Sequence, residues 1–459
     1  MTKLAVVILA AGQGTRMKSQ LPKVLHCVGD RSMLEHSYDR AKALGADDIH
    51  IVYGHGGEKV RSTLSHLDVS WVIQAEQKGT GHAVEQAMPS ISDDEMVLVL
   101  YGDVPLVRVE TLESLIESAM QSGFGLLTAS LDNPTGYGRI IRSPAGVVER
   151  IVEQKDGTPD ELKVNEVNTG MLAVQAGRLR KWIHALENNN AQGEFYLTDI
   201  IAMAAKSGVV INTVQPASID ETLGANNRVQ LAELERYLQQ RKAHQLMLEG
   251  GVTLRDPARI DIRGELTAGQ DVEIDINCLF EGVVKLGCRV SIGPNCIIRN
   301  SEIGDDVTIE ANSIIDESCL SNEVVVGPFA RLRPDTKLKQ GAKIGNFVEV
   351  KKSTIGESSK VNHLSYIGDT TMGRDVNIGA GTITCNYDGV NKHQTVIGDR
   401  VFVGSDSQLV APITVEDGAT IGAGTTLTRT APAETLTLTR SAQKSLAGWR
   451  RPEKKPAQE

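Results

Sequence analysis

The chain has no excess of positive charge, no paired cysteines and no long apolar run, and each lack excludes a class of protein. With 48 Lys and Arg against 58 Asp and Glu, its formal charge is −10. That balance predicts no nucleic-acid footprint, so any phosphate-binding site must be local. The six cysteines (Cys27, Cys278, Cys288, Cys296, Cys319, Cys385) include no Cys-x-x-Cys pair. This argues against a disulfide framework or a zinc site and for a reducing compartment, with small buried thiols in the second half. The longest apolar run near the start, Leu4 to Ala11, passes straight into Gly12-Gln13-Gly14 without a cleavage context, and no stretch approaches a membrane span. The expectation is a soluble cytoplasmic protein with no nucleic-acid or membrane partner. Its 459 residues leave room for two or three domains and ample core.

What the chain does have is a register. From Ile274 to Leu427 an apolar residue returns at every sixth position: Ile274, Phe280, Leu286, Ile292, Ile298, and on through Ile344, Val350, Val361, Ile378, Val403 and Leu427. Small residues follow many of these, as at Gly287, Gly293, Gly304 and Gly379. A period of six fits neither a helix nor a plain strand; it is the signature of a parallel β-helix built from hexapeptide rungs. Each rung points one apolar residue inward, and stacked coils bury a core that no single coil could bury alone. The step shortens to five at Ile298–Ile303, Ile315–Leu320, Val350–Ile355 and Ile367–Met372, which predicts tightened corners. Between Thr384 and Ile397 a longer gap ejects Cys385-Asn386-Tyr387-Asp388-Gly389-Val390-Asn391, either a harmless insertion or a functional loop. Leu254, Ile260 and Leu266 already step by six, so the first coil starts near Val252.

The first half reads differently. Leu4 to Ala11 has the composition of a buried parallel strand, and strands are also expected at Asp47–Tyr53, Trp71–Gln74 and Met96–Tyr101. Alternation with helices implies a Rossmann-like α/β domain. Glycines after the first strand let backbone N–H groups approach a phosphate, with Arg16 and Lys23 adding full positive charge. A glycine-rich loop alone could equally be a tight turn. Asp103, just past the end of a strand, sits where α/β sheets place ligands, though an Asp there also serves as a helix cap. The polar segment from Asn226 to Glu249 carries Leu231, Leu234, Leu238 and Leu246 at helical spacing and ends at Gly250-Gly251, a natural linker.

The joint pattern Leu-Ala-Ala-Gly-x-Gly-Thr-Arg-Met…Pro-Lys resembles the sugar nucleotidyltransferases. Joined to a hexapeptide half, and with His363-Leu364-Ser365-Tyr366, Gly345-Asn346-Phe347 and Asn386-Tyr387-Asp388-Gly389, the chain resembles the bacterial bifunctional N-acetylglucosamine-1-phosphate uridylyltransferase/glucosamine-1-phosphate N-acetyltransferase family from about Leu4 to Arg451. The family usually carries Thr where this chain has Ser365, and the hydroxyl is kept. The resemblance implies a uridylyltransferase domain at 1–227, a helical linker at 228–250 and an acetyltransferase domain at 251–459. The last of these is a left-handed parallel β-helix.

The implied substrates are UTP with N-acetylglucosamine 1-phosphate, and acetyl-CoA with glucosamine 1-phosphate. The product would serve peptidoglycan and lipopolysaccharide synthesis. By the same resemblance, Leu9, Ala10, Ala11, Gly12, Gln74, Gly79 and Thr80 hold the nucleotide, along with Tyr101 and Gly102. Arg16 and Lys23 neutralise phosphate charge, Asp103 and Asn226 hold Mg²⁺, and Gly138, Glu153 and Asn168 read the sugar. In the second half, Arg333, Lys351, Tyr366 and Asn377 hold the sugar phosphate, and His363 is the general base, a role that suits the imidazole side chain in general. Ala380, Asn386, Tyr387, Ser405, Ala423 and Arg440 hold acetyl-CoA. Asn386 would orient the attack or stabilise the oxyanion, and Ser405 would assist the leaving thiolate. A homotrimer is implied as well. The main rival is a nucleotidyltransferase whose β-helix is only structural or regulatory, which leaves the His-Leu-Ser-Tyr and Asn-Tyr motifs unexplained. A hexapeptide metalloenzyme would need more His ligands than His363 and His393, and a plain scaffold leaves Arg16, Lys23 and Asp103 without a purpose.

Overall fold

The computed structural model describes residues 3–12, 14–54 and 57–452; Gln13 of the glycine-rich loop and the chain beyond residue 452 lie outside them. The chain divides into two compact units, Met1–Arg241 and Lys242–Glu459.

The first unit is built on β1 (Leu4–Ala10), β2 (Asp48–Gly54), β3 (Ser70–Gln74), β4 (Met96–Tyr101), β5 (Gly123–Ser130), β6 (Arg139–Arg142), β7 (Val148–Val152), β8 (Glu166–Gln175) and β9 (Val210–Val214). Their order is β9-β5-β8-β4-β1-β2-β3, with β6 and β7 attached beside β8. All main neighbours are parallel except β8, which runs antiparallel to β4 and β5. Both faces are covered, so β1 is apolar throughout rather than alternating. Its Ala5, Val7 and Leu9 enter one core cluster, while Val6, Ile8 and Ala10 enter the other. Chain order reverses on passing from β2 across β1 to β4, and the crevice at the carboxyl ends of such strands is where this architecture takes ligands. The Gly102 N–H donates to the Leu9 carbonyl at 2.9 Å and ties those two ends together. The three strands expected after β1 all form, each within a residue of its expected start and end.

The linker segment folds as the helix Arg228–Leu248. In the first unit its Leu234 and Leu238 pack with Val28, Met33 and Leu106.

In the second unit the six-residue period becomes three columns of stacked side chains. One runs Ile274, Ile292, Ile309, Val326, Ile344, Val361, Ile378, Val403, Ile421, each paired in parallel register with the next. The other two begin at Phe280 and Leu286. Every apolar register residue is buried in a single continuous core. The first coil starts as expected, with Thr253–Leu254 pairing to Glu273–Ile274.

The four shortened steps share one corner chemistry. Each places a non-glycine residue at positive φ: Asn300 (42°), Glu317 (42°), Lys352 (47°) and Asp369 (48°). A buried hydroxyl follows, at Ser301, Ser318, Ser353 and Thr370, and donates to the carbonyl two residues back at 2.6–2.9 Å. Each hydroxyl thus finds an acceptor inside the core, although the Arg299 and Lys351 carbonyls also accept the backbone N–H groups of Glu317 and Asp369 at 3.0 and 3.1 Å. Thr384, the one polar register position, is buried the same way and its hydroxyl donates to the Gly368 carbonyl at 3.2 Å. The expectation of buried thiols holds for Cys278 and Cys296; Cys288 and Cys385 are half-buried, Cys319 and Cys27 are exposed, and all are free. Among the described residues no helix is long and apolar enough to cross a membrane.

Candidate functional sites

At the carboxyl end of β1 a cavity of about 310 Å³ opens, a size suited to a small-molecule site. Leu9, Ala10, Ala11, Gly12, Lys23, Gln74, Gly79, Thr80, Tyr101 and Asp103 line it. Two glycines make the walls possible. Gly14 has φ +61°, and a Cβ there would lie 2.6 Å from the Lys23 Cβ, so only glycine lets the short helix Lys23–Leu25 approach the loop. Gly79 has φ +112°, and its Cβ would strike the Phe195 carbonyl at 2.6 Å. The Phe195 carbonyl instead accepts from Gly81 N–H at 2.9 Å, and Leu197 N–H donates to Thr80 Oγ1 at 3.2 Å, so the segment around Glu194 closes over the helix Thr80–Ala87.

The charged centre is compact. The Lys23 ammonium donates to Asp103 Oδ2 and, at 3.2 Å, to Asn226 Oδ1. Residues from three distant parts of the chain thus converge on one point. Burial pushes the Tyr101 phenol well up, with the carboxylates of Asp103 and Glu153 adding to the effect.

Gly138, Glu153 and Asn168 lie together just beyond the cavity wall. Asn168 N–H donates to the Gly138 carbonyl at 2.9 Å, and Glu153 accepts from Thr198 Oγ1 at 2.9 Å. Burial raises the Glu153 carboxyl; Thr198 opposes this, and Asp156 and Asp199 add to it. Arg16 sits on an exposed turn, Thr15–Met17, and is not on the cavity wall. Gln77 and Glu194 also line the cavity; Glu194 belongs to the polar cluster 193–199, which by resemblance forms part of the sugar-binding wall, whereas sequence reasoning gave Gln77 no role. Gln77 donates to the Ala11 carbonyl across the rim.

In the second unit the expected residues form two groups. Arg333 and Lys351 lie on successive coils, where Arg333 also pairs with Glu349 at 2.9 Å. Tyr366 opposes Glu349 on the next coil. Asn386, 5% exposed, donates from Nδ2 to Asp369 Oδ2 at 2.5 Å and to the Tyr366 hydroxyl at 3.5 Å. Both amide protons are therefore engaged, and among the described residues Oδ1 is the atom without a partner. Tyr387 is exposed on the ejected loop, with the Lys392 ammonium 4.2 Å from its ring centroid. That loop is held by Asp388, which accepts from Val390 and Asn391 N–H and pairs with His393 at 2.7 Å. These bonds, the Asn391 N–H first, hold the Asp388 carboxyl far below the usual range.

The second group is a line along one corner of the solenoid. Asn346, His363, Ala380, Ser405 and Ala423 occupy matching positions on successive coils. Backbone bonds connect the stack: Gly381 N–H to the His363 carbonyl, Asp406 N–H to Ala380, and Gly424 N–H to Ser405. Coils repeat at about 4.8 Å, so His363 and Ala423 are roughly 14 Å apart along a track of small side chains. Arg440 Nε donates to the Ala423 carbonyl at 3.1 Å and closes its far end. His363 is exposed, and its Nδ1 lies 2.8 Å from Asn346 Oδ1. An amide oxygen only accepts, so Nδ1 carries the proton and Nε2 offers a lone pair. Asn377 stands on the same face, paired with Lys360, one coil from His363.

Comparison with known proteins accords with both units. Residues 6–250 match the MobA-like NTP transferase domain, and residues 283–317 and 394–429 match the hexapeptide repeat of succinyl-transferase. The chain is 57% identical over 454 residues to the bifunctional protein GlmU of Marinobacter nauticus, covering 99% of this chain and 100% of that protein. It is 58% identical over 453 residues to that of Methylococcus capsulatus, covering 98% of each.

Proposed function

The chain belongs to the family of the bifunctional protein GlmU, and from that premise we propose that its two halves carry out consecutive steps to UDP-N-acetylglucosamine. In the acetyl step, residues 251–459 transfer acetyl from acetyl-CoA to glucosamine 1-phosphate. In the uridylyl step, residues 1–227 transfer the uridylyl group of UTP to N-acetylglucosamine 1-phosphate, and helix 228–250 links the two.

In the uridylyl step, a sugar phosphate oxygen attacks the α-phosphorus of UTP and pyrophosphate leaves; the protein contributes position and charge. Lys23 offers its ammonium to the phosphates, and Arg16, exposed beside the glycine-rich loop, adds a second cation. Asp103 and Asn226 suit Mg²⁺: one anionic and one neutral oxygen already converge on a cation, the Lys23 ammonium. No cluster of three or more His, Cys, Asp or Glu able to hold a metal occurs among the described residues, so phosphate and water would complete the shell of a hard ion. When bound, the ion would neutralise charge developing on the phosphates. Gly138, Glu153 and Asn168 read the sugar.

In the acetyl step, His363 Nε2 takes the amine proton as nitrogen bonds to the thioester carbon, and the CoA thiolate leaves. Asn386 presents Oδ1 rather than N–H, which favours orienting the amine over stabilising the oxyanion. The track Ala380–Ser405–Ala423 takes the extended arm of the coenzyme, with Arg440 at its phosphate end and Tyr387 beside it. Arg333, Lys351, Tyr366 and Asn377 hold the sugar phosphate. A homotrimer, as the resemblance implies, would set such corners beside neighbouring subunits.

The observation that carries the reading is the single line from His363 to Arg440, because a purely structural β-helix needs no base at the head of a track of small residues. The decisive experiment is thiol release from acetyl-CoA with glucosamine 1-phosphate and no UTP. Substrate-dependent release is the expected result. A folded protein that releases none is a nucleotidyltransferase with a structural solenoid.

A further inference from the structure

We infer that Arg139 is a positioning residue for the uridylyl step: its buried guanidinium clamps the loop 134–138 in the shape that meets the sugar. The inference rests on the sugar wall proposed above, Gly138, Glu153 and Asn168. Arg139 opens β6, paired with Val152 on β7 and with Val167 on β8. It is 2% exposed and among the largest buried side chains of the molecule. All its partners among the described residues are neutral. One terminal nitrogen donates to the Tyr137 carbonyl, the other to Gln154 Oε1 at 2.9 Å, and Nε has no acceptor. A buried cation without a counter-charge is less stable than an apolar side chain in the same place. Packing therefore does not account for an arginine here.

What the guanidinium supplies is reach. It holds the Tyr137 carbonyl directly, and Gln154 Oε1, which takes its other proton, also accepts the Gly136 N–H at 3.0 Å. The Gly138 carbonyl in turn accepts from Asn168 N–H at 2.9 Å. Three consecutive residues of the loop are thus tied down, two of them through Arg139. Gly136, at φ +91°, has the widest backbone freedom of the three, so the bond to Gln154 is what selects one shape.

The clamp sets Gly138 against the sugar-reading carboxylate. A Cβ on Gly138 would lie 2.8 Å from Ile151 Cγ2 and 3.4 Å from either carboxylate oxygen of Glu153. The same loop reaches towards the charged centre: burial pushes the Tyr137 phenol up, and the Asp103 carboxylate adds to the effect. One clamp therefore sets the spacing between the sugar wall and the point where Lys23, Asp103 and Asn226 meet. Arg139 lies behind the loop and acts through its backbone.

The test compares wild type with Arg139→Met, which drops the donors, and Gln154→Leu, which removes the shared acceptor from a half-buried position. Pyrophosphate release is followed against N-acetylglucosamine 1-phosphate at saturating UTP, and UTP binding is titrated separately as the control on the first unit. Expected in both variants is a rise of about tenfold or more in KM for the sugar phosphate, the worth of one hydrogen bond to a charged group. UTP binding should stay within about twofold of wild type, because the clamp lies outside the nucleotide cavity. A Gln154→Leu variant that binds UTP normally and keeps the wild-type KM for the sugar phosphate overturns the inference, even if Arg139→Met fails to fold. Equal weakening of UTP and sugar phosphate overturns it too, as the mark of a merely structural role. Wild type that shows UTP-dependent binding of the sugar phosphate without turnover defeats only the proposed reaction; dissociation constants then replace KM and decide the clamp by the same comparison. Wild type that binds no sugar phosphate overturns both.

Discussion

Asp103→Asn removes one charge and little volume from the point where Lys23 and Asn226 meet. The side chains of Lys23 and Asp103 are 12% and 19% exposed, so water screens their attraction poorly. The variant keeps an oxygen facing the ammonium but strips its counter-charge, leaving Asn226 Oδ1 at 3.2 Å as another neutral acceptor. Loss of a hydrogen bond to a charged group costs about 1.5–3 kcal/mol of stability, which should appear as an earlier unfolding transition of the first unit. The effect on turnover should be larger. Lys23 loses its anchor and the metal loses its one anionic protein ligand. At about 2.7–4 kcal/mol for a lost electrostatic contact, uridylyl transfer should fall by roughly 100- to 1000-fold. Pyrophosphate release and thiol release would be followed on one preparation. Acetyl transfer should stay within twofold of wild type, taking "twofold" as about assay scatter. Equal loss of both activities would refute the two-site reasoning, and uridylyl transfer within tenfold of wild type would refute the role of the triad.

Further outcomes follow from other residues. His363→Ala should cut acetyl transfer by about a hundredfold or more and leave pyrophosphate release alone; near-normal turnover would remove it as the base. Glu153→Gln should raise thermal stability at pH 8 and do so much less at pH 4. Burial raises the folded-state pKa of Glu153, so the native state is favoured below the ordinary carboxyl value and loses that advantage as pH rises through the raised one; a melting-temperature gain equal at both pH values would contradict this. Ile367→Ala, at a fully buried register position, should destabilise the second unit by about 2–5 kcal/mol, seen in its denaturant midpoint.

The solenoid was legible because its information is local: one apolar residue per rung decides which side faces in, and no distant contact can overrule it. Even the shortened steps were visible, although the buried hydroxyl after each positive-φ corner was not anticipated. The nucleotide cavity was legible only where a motif concentrates its residues. Gln77 escaped because no spacing encodes its reach to the Ala11 carbonyl, while Glu194, in a cluster assigned by resemblance to the sugar-binding wall, is brought to the nucleotide cavity by a loop reaching across the helix Thr80–Ala87. Asp369 escaped for a similar reason: it reads as a corner residue, yet it takes the amide of Asn386 and so decides which of that residue's atoms is free. Arg16 shows the converse, a motif residue that the fold leaves exposed and off the wall.

The stacked columns make the second unit behave like a screw thread. An extra segment pushed out at a corner, as between Thr384 and Ile397, leaves the pitch intact, because the columns rejoin where Thr371 pairs with Val396 and Cys385 with Val410. Gain or loss of one residue inside a rung is different: it would turn an apolar side chain outward and carry every later thread out of step. Changes in length are therefore tolerated in two sizes, whole turns or loops at the crest, and sites can be added to this rod at its corners without disturbing the core.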